Sequence, residues 1–162
     1  AGASHHSLEP GDFAELLRAV VEDADFEARA ANRRVVLEEP GNLGTAQVNP
    51  ELARRAIENI IRNGIRYTAE GSPVEVSART LEREGKPGIS VRVRDHGPGV
   101  PENELSRIFQ PFYRTETARS RDTGGTGLGL AIAQRAALVH GGSISAENEP
   151  GGGLAVEMWI PS

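Results

Sequence analysis

The sequence predicts a two-layer α/β sandwich in which helices cover one face of a mixed, mostly antiparallel sheet. Apolar residues recur at helical spacing near residues 13–24, 50–67 and 128–139. Residues 74–78 and 89–93 instead alternate apolar with polar side chains, as strands do when only one sheet face is buried. The apolar face of the sheet must then be covered, and the predicted helices are the elements available to cover it.

Local signals place the ends of the three helices. Asp12 with Glu15 forms a capping pair ahead of the first apolar stripe, so the first helix is expected to follow Asp12. Proline is favoured at the first helical position, and the second helix is expected to run from Pro50 to about Tyr67. The third helix, over about 128–139, is ended by a pair of glycines.

The other predicted elements are shorter. Strands are expected at 35–37, 47–48, 74–78 and 89–93, and in a closing hairpin of 143–147 with 154–160. A short helix fits 102–108, and the polar stretch 110–126 is expected to be a loop. Residues 1–11 are small and polar and are interpreted as a linker, which leaves 12–162 as one domain.

Composition narrows the classes of function. The 162 residues suit one domain, and the absence of cysteine excludes disulfides and thiolate metal sites. A net charge of −5 without a basic stripe argues against a nucleic-acid partner. No apolar run approaches the roughly 18 residues that a membrane span needs, so this stretch is not expected to enter a membrane.

The second predicted helix carries a polar stripe opposite its apolar face. Asn59, Asn63 and Arg66 fall close together on this stripe, and Tyr67 lies beside it. An amide oxygen can ligate a hard cation such as Mg²⁺, an arginine can reach a phosphate, and a tyrosine ring can lie against a base. A solvated face with two incidental asparagines is the alternative for this helix taken alone.

A turn with two glycines follows the strand at 89–93. Gly97 and Gly99 permit close approach of the backbone to a ligand, and Asp95 can accept a hydrogen bond from an exocyclic amine such as that of adenine. Taken alone, this segment is better explained as an ordinary strand-to-loop turn. His96 is interpreted as a solvated turn residue.

Two further segments precede the third helix. Residues 108–114 form an aromatic cluster, which is interpreted as a hydrophobic anchor for the loop. Residues 124–129 are rich in glycine and open the helix, and backbone amides at such a helix N-terminus bind phosphate. The glycine segment is neither a Walker A loop nor a Rossmann fingerprint, because it lacks the Lys-Ser/Thr pair and the directly preceding strand.

In this order, the four segments resemble the N, G1, F and G2 boxes of sensor histidine kinases, which share a superfamily with gyrase, Hsp90 and MutL. The resemblance covers about residues 12–160, and Ile108–Ile132 is most similar to envelope-stress sensor kinases of the CpxA type. It implies the Bergerat ATP-binding fold, with ATP and Mg²⁺ as ligands. It also implies a lid, anchored by Phe109 and Phe112, over the nucleotide.

The resemblance assigns roles to individual positions. Asn63 would coordinate Mg²⁺ with help from Asn59, and Arg66 would contact phosphate; these three are the candidate catalytic residues. The remaining candidate nucleotide contacts are Tyr67, Asp95, Gly97, Gly99, Val100, Phe109, Arg114, Gly125, Thr126, Gly127, Leu128 and Gly129. One departure is Gly64, which stands where the family usually has alanine.

The implied function is transfer of the γ-phosphoryl group of ATP to a histidine on a separate dimerisation domain, followed by relay to a response regulator. The domain would be the cytoplasmic part of an inner-membrane sensor. No phospho-acceptor box is present, since the sequence after His5 and His6 does not fit one. A serine kinase of the anti-sigma type and a nucleotide-sensing domain without transfer activity are the alternatives. The lid sequence argues against the first, and the complete set of boxes argues against the second.

Overall fold

The computed structural model describes residues 7–113 and 127–162. Within these ranges the chain forms three α-helices, seven strands and one short 3₁₀ helix. In chain order they are β1 Glu9–Asp12, α1 Phe13–Arg29, β2 Arg34–Leu37, β3 Thr45–Val48, α2 Pro50–Tyr67, β4 Pro73–Thr80, β5 Gly88–Arg94, the 3₁₀ helix Glu102–Glu104, α3 Gly129–Val139, β6 Ser143–Asn148 and β7 Leu154–Pro161.

The main sheet has five strands in the order β2-β4-β5-β7-β6. The β2–β4 pair is parallel and the other three pairs are antiparallel. A second, two-stranded sheet joins β1 to β3. Helices α1, α2 and α3 pack together and against the main sheet, so the predicted two-layer sandwich with a mixed sheet is confirmed.

The core lies between the helices and the apolar face of the main sheet. Phe13 and Leu17 of α1 and Ile57 and Ile61 of α2 are fully buried, and they face strand residues such as Val76. Burial of each of these side chains contributes about 1.5–3 kcal/mol to folding. The apolar face predicted for α2 is therefore the face that anchors it, which leaves its polar stripe free to line a site.

Side-chain caps stabilise the starts of α1 and α2, and the cap of α1 is the predicted one. The Asp12 carboxylate accepts a hydrogen bond from the backbone N–H of Glu15 at 3.1 Å. At the start of α2, the Asn49 amide oxygen accepts from the N–H of Leu52 at 3.0 Å, directly before Pro50. Each cap satisfies an N–H group that has no partner within its own helix.

Two sequence predictions are wrong. Residues 9–11 belong to β1 rather than to a linker, because their backbone pairs with β3, where Gly11 lies opposite Ala46. Over 102–108, only Glu102–Glu104 form a helix, and it is a 3₁₀ turn. Pro101 gives this turn no side-chain cap, and i→i+3 bonds such as Leu105 N–H to the Glu102 carbonyl are too few to propagate an α-helix.

Gly64 allows α2 to lie close to the sheet. A Cβ atom at this position would be 3.1 Å from Val74 Cγ1 and 3.7 Å from Val93 Cγ1. Glycine in a helix interior costs about 1 kcal/mol relative to alanine. The close helix–sheet contact offsets that cost, and it holds the neighbouring Asn63 near the carboxyl end of β5.

Candidate active site

A cleft opens between the second half of α2, the loop that follows β5 and the first turn of α3. The lining is mostly apolar with a few polar groups, and it comprises Asn63, Tyr67, Asp95, Pro98, Gly99, Val100, Ile108, Tyr113, Leu130 and Leu154.

Asp95 is the buried polar group at the base of this cleft, with a residue exposure of 3%. Its Oδ1 accepts hydrogen bonds from the backbone N–H groups of Gly97, at 2.9 Å, and Leu154, at 3.2 Å. Burial raises the pKa of the Asp95 carboxyl above its ordinary value, while the two N–H donors act in the opposite direction. Among the residues that the structure describes, none donates to Oδ2, which leaves that oxygen available to a ligand.

The loop after Asp95 needs glycine at two positions. Gly99 has a φ of +76°, a conformation that other residues seldom adopt, and a Cβ there would lie 2.7 Å from the Asn148 amide oxygen. A Cβ at Gly97 would collide with the backbone carbonyl of Tyr67. The glycines therefore bring the loop against the end of α2, where Tyr67 borders the cleft.

The polar stripe of α2 reaches the cleft at Asn63. Asn59, one turn earlier, donates its amide N–H to the Arg55 carbonyl at 2.8 Å, and no group in the described part of the chain donates to its Oδ1. A Cβ on Gly129 would be only 3.3 Å from this Oδ1, so Asn59 lies beside the first turn of α3. Arg66 is half-exposed on the last turn of α2 and is not among the residues that line the cleft.

The first turn of α3 closes the cleft on the side opposite Asp95. Leu128 precedes the helix without giving it a side-chain cap, so the amides of this turn are not satisfied by their own N-cap residue. Gly127 has a φ of +78°, and its carbonyl accepts a hydrogen bond from Phe112 N–H at 2.8 Å. Leu130 contributes a buried apolar side chain to the cleft.

Comparison with known proteins identifies the family of the domain. Residues 48–162 match the family described as histidine kinase-, DNA gyrase B- and HSP90-like ATPase.

The chain belongs to this ATPase family.

Individual relatives point to one branch of the ATPase family. The sensor histidine kinase CpxA of Escherichia coli K12 is 40% identical over 147 residues, which cover 91% of this chain and 31% of that protein. The catalytic domain of the histidine kinase ThkA superposes with a TM-score of 0.77 at 26% identity, covering 95% of both chains. Full-length ShkA, solved with AMPPNP, gives a TM-score of 0.75 at 26% identity and covers 96% of this chain and 31% of that one.

The domain is therefore a catalytic ATPase domain of the histidine kinase type, and the predicted Bergerat fold is confirmed. The chain spans about a third of the length of its curated relatives. No helix in the described part of the chain is long and apolar enough to cross a membrane.

The structure brings together most, but not all, of the ATPase-site residues predicted from the sequence. The predicted residues that line the cleft are Asn63, Tyr67, Asp95, Gly99 and Val100. Asn59, Gly97, Gly127, Leu128 and Gly129 stand next to it in the α2 helix, the glycine loop and the start of α3. Arg114, Gly125 and Thr126 lie outside the described residues.

The two aromatic residues predicted to anchor the lid differ in their surroundings. Phe109 is buried, with 5% exposure, and belongs to the core. Phe112 is 71% exposed and has a φ of +64°, so the prediction that it is a hydrophobic anchor is wrong. Its backbone, rather than its ring, makes the contact that matters, through the bond to Gly127. Tyr113 lines the cleft instead, and its hydroxyl donates to Glu104.

His96 also departs from the prediction, because it is not simply solvated. Its Nε2 lies 2.6 Å from Glu75 Oε1, and its backbone N–H donates to the Thr68 hydroxyl at 3.0 Å. Thr68 is itself buried, with 2% exposure. Thr68 therefore fixes the loop directly after Asp95, a role that the sequence alone did not indicate, since a threonine after a helix reads as an ordinary turn residue.

The donor groups fit a magnesium ion that is held mainly by the nucleotide. Residues 7–113 and 127–162 contain no cluster of three or more histidine or acidic side chains that could hold a metal on its own. The available oxygens are the amide oxygens of Asn59 and Asn63. Mg²⁺ is commonly bound by one or two protein oxygens together with phosphates and water, and these amides match that pattern.

Proposed function

We propose that the cleft binds ATP with Mg²⁺ and donates the γ-phosphoryl group to a histidine on a separate dimerisation domain of a sensor histidine kinase. A response regulator would then receive the phosphoryl group from that histidine. The observation that carries this proposal is Asp95, a buried carboxylate in the cleft with one oxygen held by two backbone amides and the other without a donor among the described residues.

The free Oδ2 of Asp95 suits the exocyclic amine of adenine. A purine with an amino group donates to this oxygen, whereas the carbonyl that guanine presents at the same position would face a carboxylate and be repelled. Gly99 and Val100 would supply close backbone to the base, and Tyr67, which also lines the cleft, would provide an aromatic ring. The ShkA structure with AMPPNP is consistent with an adenine nucleotide in this fold.

Phosphates and metal would lie between α2 and α3. Asn63, assisted by Asn59, would present amide oxygens to Mg²⁺, and Arg66 would approach a phosphate once nucleotide is bound. The N–H groups at the start of α3, which receive no side-chain cap from Leu128, would bind the phosphates at this end of the cleft. When it is bound, Mg²⁺ neutralises phosphate charge, and catalysis by this domain consists mainly of positioning the donor.

The cleft favours transfer to an added nucleophile over hydrolysis. Superfamily members that hydrolyse ATP carry a glutamate where this chain has Asn59, and an amide cannot serve as a base at neutral pH. The neighbouring Glu58 is engaged by Arg54, with Oε1 3.0 Å from the arginine Nε. Asp95 is the only carboxylate among the described residues that line the cleft. We assign it to binding the adenine ring and not to activating a water molecule.

The parent protein is proposed to be a membrane sensor kinase of the CpxA type. This domain would be its cytoplasmic catalytic part, because CpxA matches over most of this chain but over only 31% of its own length. The remaining length of such a relative has room for a dimerisation domain with the acceptor histidine. We assign the partners on this basis as that domain and a cognate response regulator.

Calorimetry with ADP and GDP tests the adenine site. We expect ADP to bind and GDP to bind at least about tenfold more weakly, which is the value of one charge-assisted hydrogen bond. Asp95→Asn should weaken ADP binding by about 10- to 100-fold, because its amide N–H would face the amine of the base. Glu70→Gln, which changes an exposed carboxylate beyond α2, is the matched control and should bind ADP normally. Equal affinity for ADP and GDP would remove Asp95 from this role.

A further inference from the structure

The loop that lines the cleft at Gly99 and Val100 is held by a side chain from β6, an edge strand of the main sheet. Asn148, the last residue of β6, accepts a hydrogen bond from Val100 N–H at 2.9 Å and donates one to the Val100 carbonyl at 2.6 Å. One side-chain amide therefore satisfies both backbone groups of Val100, as a neighbouring strand would. The two residues are 48 positions apart in the chain.

The same amide also meets the residues on either side of Val100. Its Nδ2 donates to Glu102 Oε1 at 3.2 Å, and Gly99 approaches its Oδ1 so closely that a Cβ there would be 2.7 Å away. Together, the contacts of this one amide with Gly99, Val100 and Glu102 fix the position and the orientation of the loop backbone. The loop segment at Gly99 and Val100 is the part that lines the cleft.

Asn148 also stands beside the anchor of Asp95. In the β6–β7 hairpin it pairs with Leu154, and the Leu154 N–H donates to Asp95 Oδ1 at 3.2 Å. The end of β6 thus supports both parts of the proposed adenine site. The carboxylate is held through Leu154, and the glycine loop is held through the amide of Asn148.

Only an amide of this length can make all of these bonds. An aspartate has the same shape and can still accept from Val100 N–H, but it cannot donate, and it would face the Val100 carbonyl and Glu102 with negative charge. An alanine would leave both backbone groups of Val100 without this partner. These differences allow the positioning role to be separated from simple packing.

We infer that Asn148 is a positioning residue for adenine binding, which it controls by holding the Gly99–Val100 backbone against the base. The inference rests on the proposed function, because it concerns the same nucleotide site. Asn148 does not line the cleft itself, so its effect must pass through the loop.

Titration of ADP into Asn148→Asp and Asn148→Ala tests this role. Both variants should bind ADP about tenfold or more weakly than the unmodified domain at pH 8, from the loss of at least one hydrogen bond and the mispositioned loop. The Val100 carbonyl and the Glu102 carboxylate should raise the pKa of the introduced aspartate above its ordinary value of about 3.9, so at pH 5 a substantial part of it carries a proton and can donate to Val100 again. The affinity of Asn148→Asp relative to the unmodified domain should therefore recover on acidification, whereas that of Asn148→Ala should not.

Glu147→Gln is the matched control, since Glu147 is the preceding residue of β6 and, among the residues that the structure describes, its exposed carboxylate pairs only with Arg92. It should bind ADP like the unmodified domain. Circular dichroism at the titration temperature measures the folded fraction of each variant, and affinities are compared per folded molecule.

The outcomes separate the two proposals. ADP binding within twofold of the unmodified domain in both Asn148 variants would overturn the positioning role and leave the proposed function intact. An equal loss in Glu147→Gln, or a loss that vanishes after correction for folded fraction, would also overturn it. Failure of the unmodified domain to bind ADP would instead overturn the proposed function, and this inference with it.

Discussion

At the scale of single residues, Asn63 and Asn59 have different tasks in the cleft. Asn63 lines it directly, whereas Asn59 is held by its bond to the Arg55 carbonyl and lies beside Gly129. Amide oxygens carry no charge, so they bind Mg²⁺ weakly unless phosphates share it. Metal binding and nucleotide binding are therefore expected to depend on each other.

Asn63→Ala should abolish this dependence. Mg²⁺ should strengthen ATP binding in the unmodified domain, and the variant should lose about tenfold or more of that gain, because one charge-assisted contact is removed. Calorimetry with and without Mg²⁺ measures the gain. Arg62→Ala changes an exposed neighbour on α2 and should keep it. An unchanged Mg²⁺ effect in Asn63→Ala would exclude the metal role.

Residue types and spacing were enough to predict many of the side chains in the cleft. Asp95 and Gly99 follow a strand in a recognisable turn, and Asn63 lies on a stripe that helical periodicity reveals. Asn148 could not be found in this way, because its partner Val100 is 48 positions away and an asparagine at a hairpin reads as a turn residue. Phe112 was misjudged because an aromatic residue predicts burial only on average.

At the scale of elements, α1 is tied to β2 by a buried carboxylate. Asp25 has 8% exposure, and its oxygens accept from the side chains of Arg34 and Arg29 and from Val35 N–H. The hydrogen bonds from Arg34, followed by those from Val35 and Arg29, lower the pKa of the Asp25 carboxyl to about 2 and outweigh the opposing effect of its burial. A lowered pKa means that the ionised group stabilises the folded state.

This linkage gives a pH-dependent prediction. The stabilisation is present above the ordinary pKa of 3.8 and is lost as the pH falls through about 2. Asp25→Asn should cost on the order of 1–2 kcal/mol at pH 7, since solvent screens the two exposed arginines. The difference should shrink towards pH 2. Urea unfolding at several pH values measures it.

Asp23→Asn is the matched control for α1, because Asp23 is largely exposed and pairs only with Arg54 among the described residues. It should change the free energy of unfolding by less than about 1 kcal/mol at any pH. If Asp25→Asn and Asp23→Asn had the same pH profile, the buried network would not be the source of the effect.

The accuracy of the predicted elements follows from where their signals lie in the chain. The bounds of α2 were predicted closely because Pro50 marks its start and a long apolar stripe marks its length. β1 was missed because the strand that it pairs with among the described residues, β3, lies more than thirty residues later. In addition, Pro10 and Gly11 are typical of a linker. Pairing between distant short strands leaves no periodic signal in either of them.

At the scale of the whole molecule, the site lies where the helix layer meets the carboxyl end of β5. The sheet supplies Asp95 and the hairpin that supports it, and the helix layer supplies Asn63 from α2 and the glycine-rich turn of α3. Both layers thus contribute residues to the site. Under the proposed function, this arrangement would hold a nucleotide by its base and would present its phosphates at the edge of the domain, where a second domain could reach them.

Within residues 7–113 and 127–162, the same arrangement provides no general base for water, because Asn59 is neutral and Glu58 is held by Arg54. A neutral imidazole is already nucleophilic near pH 7, so a histidine on another domain is the acceptor that this cleft suits. The central claim is therefore that the domain keeps its phosphoryl group until such a histidine arrives.

Incubation with ATP labelled at the γ-phosphate, with and without the histidine-bearing dimerisation domain of the parent kinase, tests this claim most directly. Alone, the domain should neither become phosphorylated nor release labelled phosphate by hydrolysis at an appreciable rate. With the dimerisation domain, we predict a phosphoprotein that is labile in acid and stable in base, as phosphohistidine is. Rapid release of phosphate by the domain alone, or an acid-stable phosphoprotein, would contradict the account.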